Sequence, residues 1–192
     1  MDTPEEKIIL ATIQCIEKYG LENTTIRQIG AEAGMNSASI NYYFRTKDAL
    51  MERVMETTLK NAFDLGNFED SVGLPARERL IAVMDGMLAG ALQYHGINRA
   101  FFLELLHSGK DPTPMQKQCN LFLNVLKEEL AAAYPQKSPA EIGSAIMGIA
   151  SATFLFPGLF PNFFTLSPEV DLADEGRRRS YVQYIVDTFL KE

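Results

Sequence analysis

The stretch from Thr24 to Leu50, TTIRQIGAEAGMNSASINYYFRTKDAL, constrains this chain more than any other. Thr25 is a good N-cap, and Ile26, Ile29 and Ala33 follow it on one face at helical spacing. Gly34 ends that helix, because glycine reaches the left-handed conformation after a helix without a steric cost. Asn36 or Ser37 caps the next helix, whose buried side is Ile40 and Phe44. Two short helices joined by a tight turn containing glycine form a helix-turn-helix, whose second helix enters the DNA major groove. The outward face of that helix carries Ser37, Ser39, Asn41, Tyr42 and Tyr43. Asparagine pairs with adenine, serine with either base type, and Arg27 on the preceding helix suits guanine. Tyr43 is better placed for a phosphate, through its hydroxyl.

Thr46-Lys47-Asp48 reads as a third helix start, with Thr46 as cap. A lysine beside the free backbone N–H groups of a helix N-terminus makes a phosphate site. An exposed lysine that merely follows a cap is the competing reading on spacing alone.

Across AGMNSASINYYFRTKDAL the chain resembles the TetR family of bacterial transcriptional regulators. The family pattern here is roughly A-G-V-S-x-x-x-L-Y-x-H-F-x-[SN]-K-[ED]-x-L, and Ala33, Gly34, Phe44, Lys47, Asp48 and Leu50 fall in register. The resemblance covers about the first 55 residues. Asn41 stands where the family usually has Tyr, and Tyr43 where it often has His. These departures bear on which operator is read, not on DNA binding.

The resemblance implies an all-α chain with a helix-turn-helix DNA-binding domain over residues 1–47. A helical effector-binding and dimerisation domain would follow over 48–192. It implies that Lys47 contacts the DNA backbone and that Thr25 lies near a phosphate. It further implies a homodimer on a palindromic operator, acting as a repressor that a small apolar or aromatic effector releases.

Charge sharpens this expectation. The net charge is −7, and residues 1–60 hold 7 Lys and Arg against 9 Asp and Glu. DNA affinity must therefore come from local placement of Arg27, Arg45 and Lys47, and non-specific binding should be weak. Hydrophobic residues make up 46%, including 12 Phe and 8 Met, which is ample for a packed core and excludes disorder. The acidic start, MDTPEEK, is unlike a signal peptide, and no apolar run reaches the roughly 18 residues that cross a bilayer. The expected location is the cytoplasm, where Cys15 and Cys119 are two small apolar core residues.

Helices are expected at 4–20, 47–65, 75–93, 97–108, 112–133, 138–156 and 174–190, besides the two of the helix-turn-helix. Ile9, Ile13 and Ile16, with Leu10 and Tyr19 beside them, mark the inner side of the first. Gly66-Asn67 and the stretch from Ser71 to Pro75 punctuate a loop. Ser138-Pro139-Ala140-Glu141 is a capping box. The helix it opens is small on one side, with Gly143, Ser144, Gly148, Ser151 and Ala152. Ile142, Ile146 and Ile149 on it, with Tyr181, Ile185 and Phe189 on the last helix, are the expected dimer interface, by analogy with the four-helix interface of the family. Ordinary intrachain core is the competing reading.

Met84, Met87, Tyr94, Phe101, Phe102, Met147 and Phe154, with His107 as a polar group, are the expected effector-binding residues. A well-filled core competes with this too. The FPGLFPNFF segment, with Phe160, Phe163 and Phe164, covers a pocket or packs at a dimer edge. No catalytic motif, cofactor or metal is expected: there is no G-x-S-x-G, no phosphate loop and no Cys-x-x-Cys. His95 and His107 are poorly spaced for a metal pair. Arg177, Arg178 and Arg179 are read as solvated, or paired with Asp171 to Glu175. A helical carrier or enzyme whose first helices merely resemble a DNA reader is the rival from another class.

Overall fold

A computed structural model describes residues 3–107, 109, 111–161, 163 and 170–191. The described residues are helical throughout, without a strand: α1 (Pro4–Tyr19), α2 (Ile26–Ala33), α3 (Ser37–Phe44), α4 (Lys47–Ala62), α5 (Ala76–Gln93), α6 (His95–His107), α7 (Pro114–Ala133), α8 (Pro139–Ala150), α9 (Phe156–Leu159) and α10 (Glu175–Leu190). Most starts follow from local chemistry. Thr3, Thr25, Thr113 and Ser138 each form a capping box, with Glu6, Gln28, Gln116 and Glu141 respectively. Each box satisfies two backbone donors that the first helical turn would otherwise leave bare.

Contacts divide the chain into two units, residues 1–61 with 96–107 and residues 62–95 with 108–192. The boundary expected at 47/48 does not coincide with this division, because α4 and α6 fall in the same unit as α1 to α3. In the first unit α1 lies against α2, and α2 against α3. The buried side of α1 is Ile8, Ile9, Ala11, Thr12, Cys15 and Ile16, while Leu10 and Tyr19 are exposed. Of the expected stripe Ile9 and Ile16 are buried and Ile13 is half-buried, while the burial extends toward Ile8 and Cys15 instead of Leu10 and Tyr19. Thr12 is accommodated because its hydroxyl donates to the Ile8 carbonyl at 2.7 Å.

In the second unit α5 is central, packing against α7, α9 and α10. Phe63 stacks edge-on against Phe122 of α7 and Phe154, at 5.5 and 6.4 Å between ring centres. Ile142, Ile146 and Ile149 of α8 are buried, each worth about 1.5–3 kcal/mol. Two elements depart from expectation. The helix from Lys47 stops at Ala62, and Leu65–Ser71 forms a 3-10 helix where a loop was expected. The helix from Pro139 does not stop at 156. It passes through a π-helical turn, Ser151–Leu155, into α9, because Pro157 at the start of α9 needs no backbone donor.

The resulting Pro139–Leu159 helix, mean hydropathy 1.6, is long and apolar enough to cross a membrane by length and composition. That corrects the expectation of no such run. Ile142, Ala145, Ile146, Ile149 and Phe154 on its inner side are core.

Candidate nucleic-acid interface

The turn between α2 and α3 is a Schellman motif. Gly34 is left-handed (φ 65°, ψ 30°) and donates to the Ala31 carbonyl, while Met35 donates to the Gly30 carbonyl at 2.8 Å. A side chain at Gly30 would place its first carbon 2.7 Å from the Met35 carbonyl oxygen. Sequence reasoning found Gly34 but missed Gly30; a glycine inside a short helix was the available signal. Asn36, not Ser37, caps α3, accepting from the Ser39 N–H at 2.8 Å. Ile40 and Phe44 are buried and hold α3 against the unit, leaving its other faces to solvent.

The exposed side of α3 divides the expected contacts. Ser37 and Asn41, one helical turn apart, are both exposed. Ser39, Tyr42 and Tyr43 line a shallow cleft of about 440 Å³ with Pro4, Met35, Asn36 and Ala38. Ser39 is half-buried and its hydroxyl donates to Asn36 at 3.1 Å, so it is engaged in the cap. Tyr42 is 81% exposed and meets Tyr43 edge-on at 5.3 Å.

Charge is distributed just as unevenly. Arg53 of α4 is held by Glu5 at 3.5 Å and Glu56 at 3.8 Å. Arg27 and Lys47 form no ion pair among the described residues. Thr46 caps α4, accepting from the Ala49 N–H at 3.1 Å, so Lys47 stands in the first turn. Thr25 caps α2 and is exposed. A polar, aromatic helix face flanked by unpaired cations and helix N-termini suits a grooved polyanion.

Residues 8–54 match the model of bacterial regulatory proteins of the tetR family. The chain is 30% identical over 82 residues to the HTH-type transcriptional regulator BetI of Stenotrophomonas maltophilia, a match that spans 42% of each chain. It is 26% identical over 161 residues to BetI of Vibrio campbellii, covering 81% of this chain and 80% of that one. A TetR transcriptional regulator from Legionella pneumophila has the same fold, with a TM-score of 0.64 over 98% of both chains at 18% identity. Its helix-turn-helix head is that of the TetR-family transcriptional regulators. TetR-family proteins bind DNA through this head and are not enzymes. Among the described residues no three His, Cys, Asp or Glu side chains gather as a metal would require.

Away from the head, the expected effector residues are split. Phe101, Phe102 and His107 belong to α6 in the first unit, and Met84, Met87, Tyr94, Met147 and Phe154 to the second. Met84, Met87 and Phe154 are buried, and the Thr153 hydroxyl lies 3.6 Å from the Met84 sulfur. Met147 is 67% exposed, Tyr94 and His107 are exposed, and His107 Nδ1 donates to the Leu103 carbonyl at 2.7 Å. Met147 therefore faces out of the TetR-family body rather than into it. Phe156, Phe160 and Phe163 cluster at its surface, and Phe164 lies outside the described residues.

The expected dimer residues need a similar correction. Ile142, Ile146 and Ile149 are buried in the core of the single chain. Tyr181 is half-buried and donates to the Ala152 carbonyl, its phenol pushed up from the ordinary range by burial. Ile185 is half-buried and Phe189 exposed, its ring lying over Gly148. The outward residues on these two helices are Ser144, Met147 and Ser151 on the α8 side, and Tyr184 and Thr188 on α10.

Sequence reasoning also missed Glu17. Its carboxylate receives the N–H groups of Gly96 at 2.8 Å and Ile97 at 2.9 Å, capping α6 from the end of α1. Partners this far apart in the chain leave no local signal.

Proposed function

We propose that this TetR-family regulator binds a palindromic operator as a homodimer and represses transcription until a small apolar or aromatic effector releases it. The exposure of Tyr42 carries the reading. A tyrosine almost fully in water in the middle of a short helix contributes nothing to the core, and a phenol is useful there only to a partner. In this reading Ser37, Asn41 and Tyr42 read base edges with Arg27, while Thr25, Tyr43 and Lys47 hold phosphates; Ser39 supports the helix start. Single short recognition helices read few bases, so two subunits read half-sites one helical turn, about 34–36 Å, apart. Repression follows the habit of the family, and the site of action is the cytoplasm.

The effector acts by linkage: a ligand that favours one spacing of the recognition helices weakens DNA binding, and DNA weakens the ligand equally. The sulfur and aromatic side chains around Met84, Met87 and Phe154 supply the apolar lining that such a ligand needs. Tyr42→Ala tests the DNA reading. It should leave the melting temperature unchanged and strongly weaken duplex binding. Unchanged binding would bring the helical-carrier reading forward. Thermal shifts against a panel of lipophilic and aromatic compounds test the effector.

A further inference from the structure

The chain reverses between α3 and α4 at a single residue. Phe44 closes α3, Thr46 caps α4, and Arg45 between them has φ 55° and ψ −48°. The Arg45 N–H donates to the Asn41 carbonyl at 2.9 Å, and the Thr46 N–H donates back to the Phe44 carbonyl, closing a three-residue γ-turn. A γ-turn with positive φ is rare and strained for a residue with a Cβ, and glycine adopts it at least cost. Among the described residues Arg45 is the one non-glycine with positive φ.

Nothing in the fold rewards arginine here. Its side chain is exposed and makes no hydrogen bond or ion pair among the described residues. Strain of this kind persists where it positions a group for function. The turn presents Arg45 directly before the first turn of α4, where helix N–H groups and the Lys47 ammonium already favour an anion. A head with more carboxylates than cations over residues 1–60 depends on each unpaired cation that it points at DNA.

We propose that Arg45 is a phosphate-binding residue, projected toward the DNA backbone by a strained turn that the chain retains at a cost to its own stability. This rests on the DNA-binding reading above. It assigns to one position a trade between affinity and folding that neither Lys47 nor Arg27, both in relaxed helices, has to make.

The test uses the full chain with Arg45→Ala, Arg45→Lys and Arg45→Gly, and a mixed-sequence duplex of about 30 base pairs, long enough for two half-sites. Binding is measured across a salt series and melting temperature without DNA. Arg45→Ala should weaken binding whatever the sequence and flatten the log–log salt slope by about 0.9. Arg45→Lys should keep the wild-type slope. Arg45→Gly should lose as much binding as alanine and melt about 2–8 °C higher than wild type. Wild-type affinity and slope in the alanine and glycine variants would overturn the contact, and a glycine variant melting below wild type would overturn the strain. If wild type itself binds no duplex even at the lowest salt of the series, where non-specific binding is strongest, while the variants match it in every readout but melting, the DNA reading has failed and not the assignment of Arg45 alone.

Discussion

Arg178 of α10 donates to Asp85 of α5 at 2.8 Å, and their side chains are only 13% and 11% exposed. Asp85 is thus a buried charge in the middle of the central helix, tolerable because a guanidinium reaches it from the last one. Breaking such a pair costs more than never having had it, since the remaining charge stays buried alone. Asp85→Ala should destabilise the protein by about 3–5 kcal/mol in urea unfolding. The Asp85→Ala, Arg178→Ala double variant should recover part of that loss. Strictly additive losses would mean that the two residues do not act as a pair.

Cys119 gives a pH dependence with a definite sign. Burial raises its thiol from 9.0 to about 11, and Cys15 is also raised, by burial first and by Glu32 second. A thiol raised in the folded state stays protonated where the unfolded chain has already lost its proton. Its contribution to stability is complete below pH 9.0 and is lost progressively as pH climbs toward 11. At pH 8 neither cysteine should react with a disulfide reagent in folded protein, and both should react in denaturant. Rapid labelling of the folded chain would place a thiol at the surface.

For the homodimer proposed above, the outward residues of α8 and α10 are the candidate face. Met147 and Tyr184, 67% and 68% exposed, are the large apolar side chains that these two helices turn outward. Met147→Glu should give monomers at micromolar concentration in sedimentation, with the helical content unchanged. Ile146→Glu would unfold the second unit instead, because Ile146 is core. A stable Met147→Glu dimer would move the interface elsewhere on the molecule.

Lys47 and Asn41 should fail in different ways. Lys47→Ala should weaken binding to every duplex alike and flatten the salt slope by about one unit. Asn41→Ala should cost about 1–3 kcal/mol and relax preference at one or two base pairs of each half-site. A competition assay with substituted duplexes separates the two patterns. An altered base preference in Lys47→Ala would take it out of the phosphate set.

Much of the head was legible because its rules are local. Thr25, Asn36 and Gly34 act within four residues of themselves, and the spacing of Ile40 and Phe44 tells which side of α3 is buried. The body was legible only as a series of helices. Whether Ile146 faces its own core or a partner depends on what packs against α8, which periodicity does not state. Arg178 pairs with Asp85 instead of its acidic neighbours because α5 lies across from it, a fact of tertiary packing. Arg45 looked like any exposed arginine; its positive φ arises from joining two helices through one residue.

The most direct measurement is selection of bound duplexes from a random library by the purified, ligand-free protein. The proposed mechanism predicts enrichment of a palindrome with half-sites one helical turn apart, whose preference changes in Asn41→Ala and not in Lys47→Ala. Recovery of no common sequence by folded protein would contradict it, leaving α2 and α3 as a scaffold and not a reader.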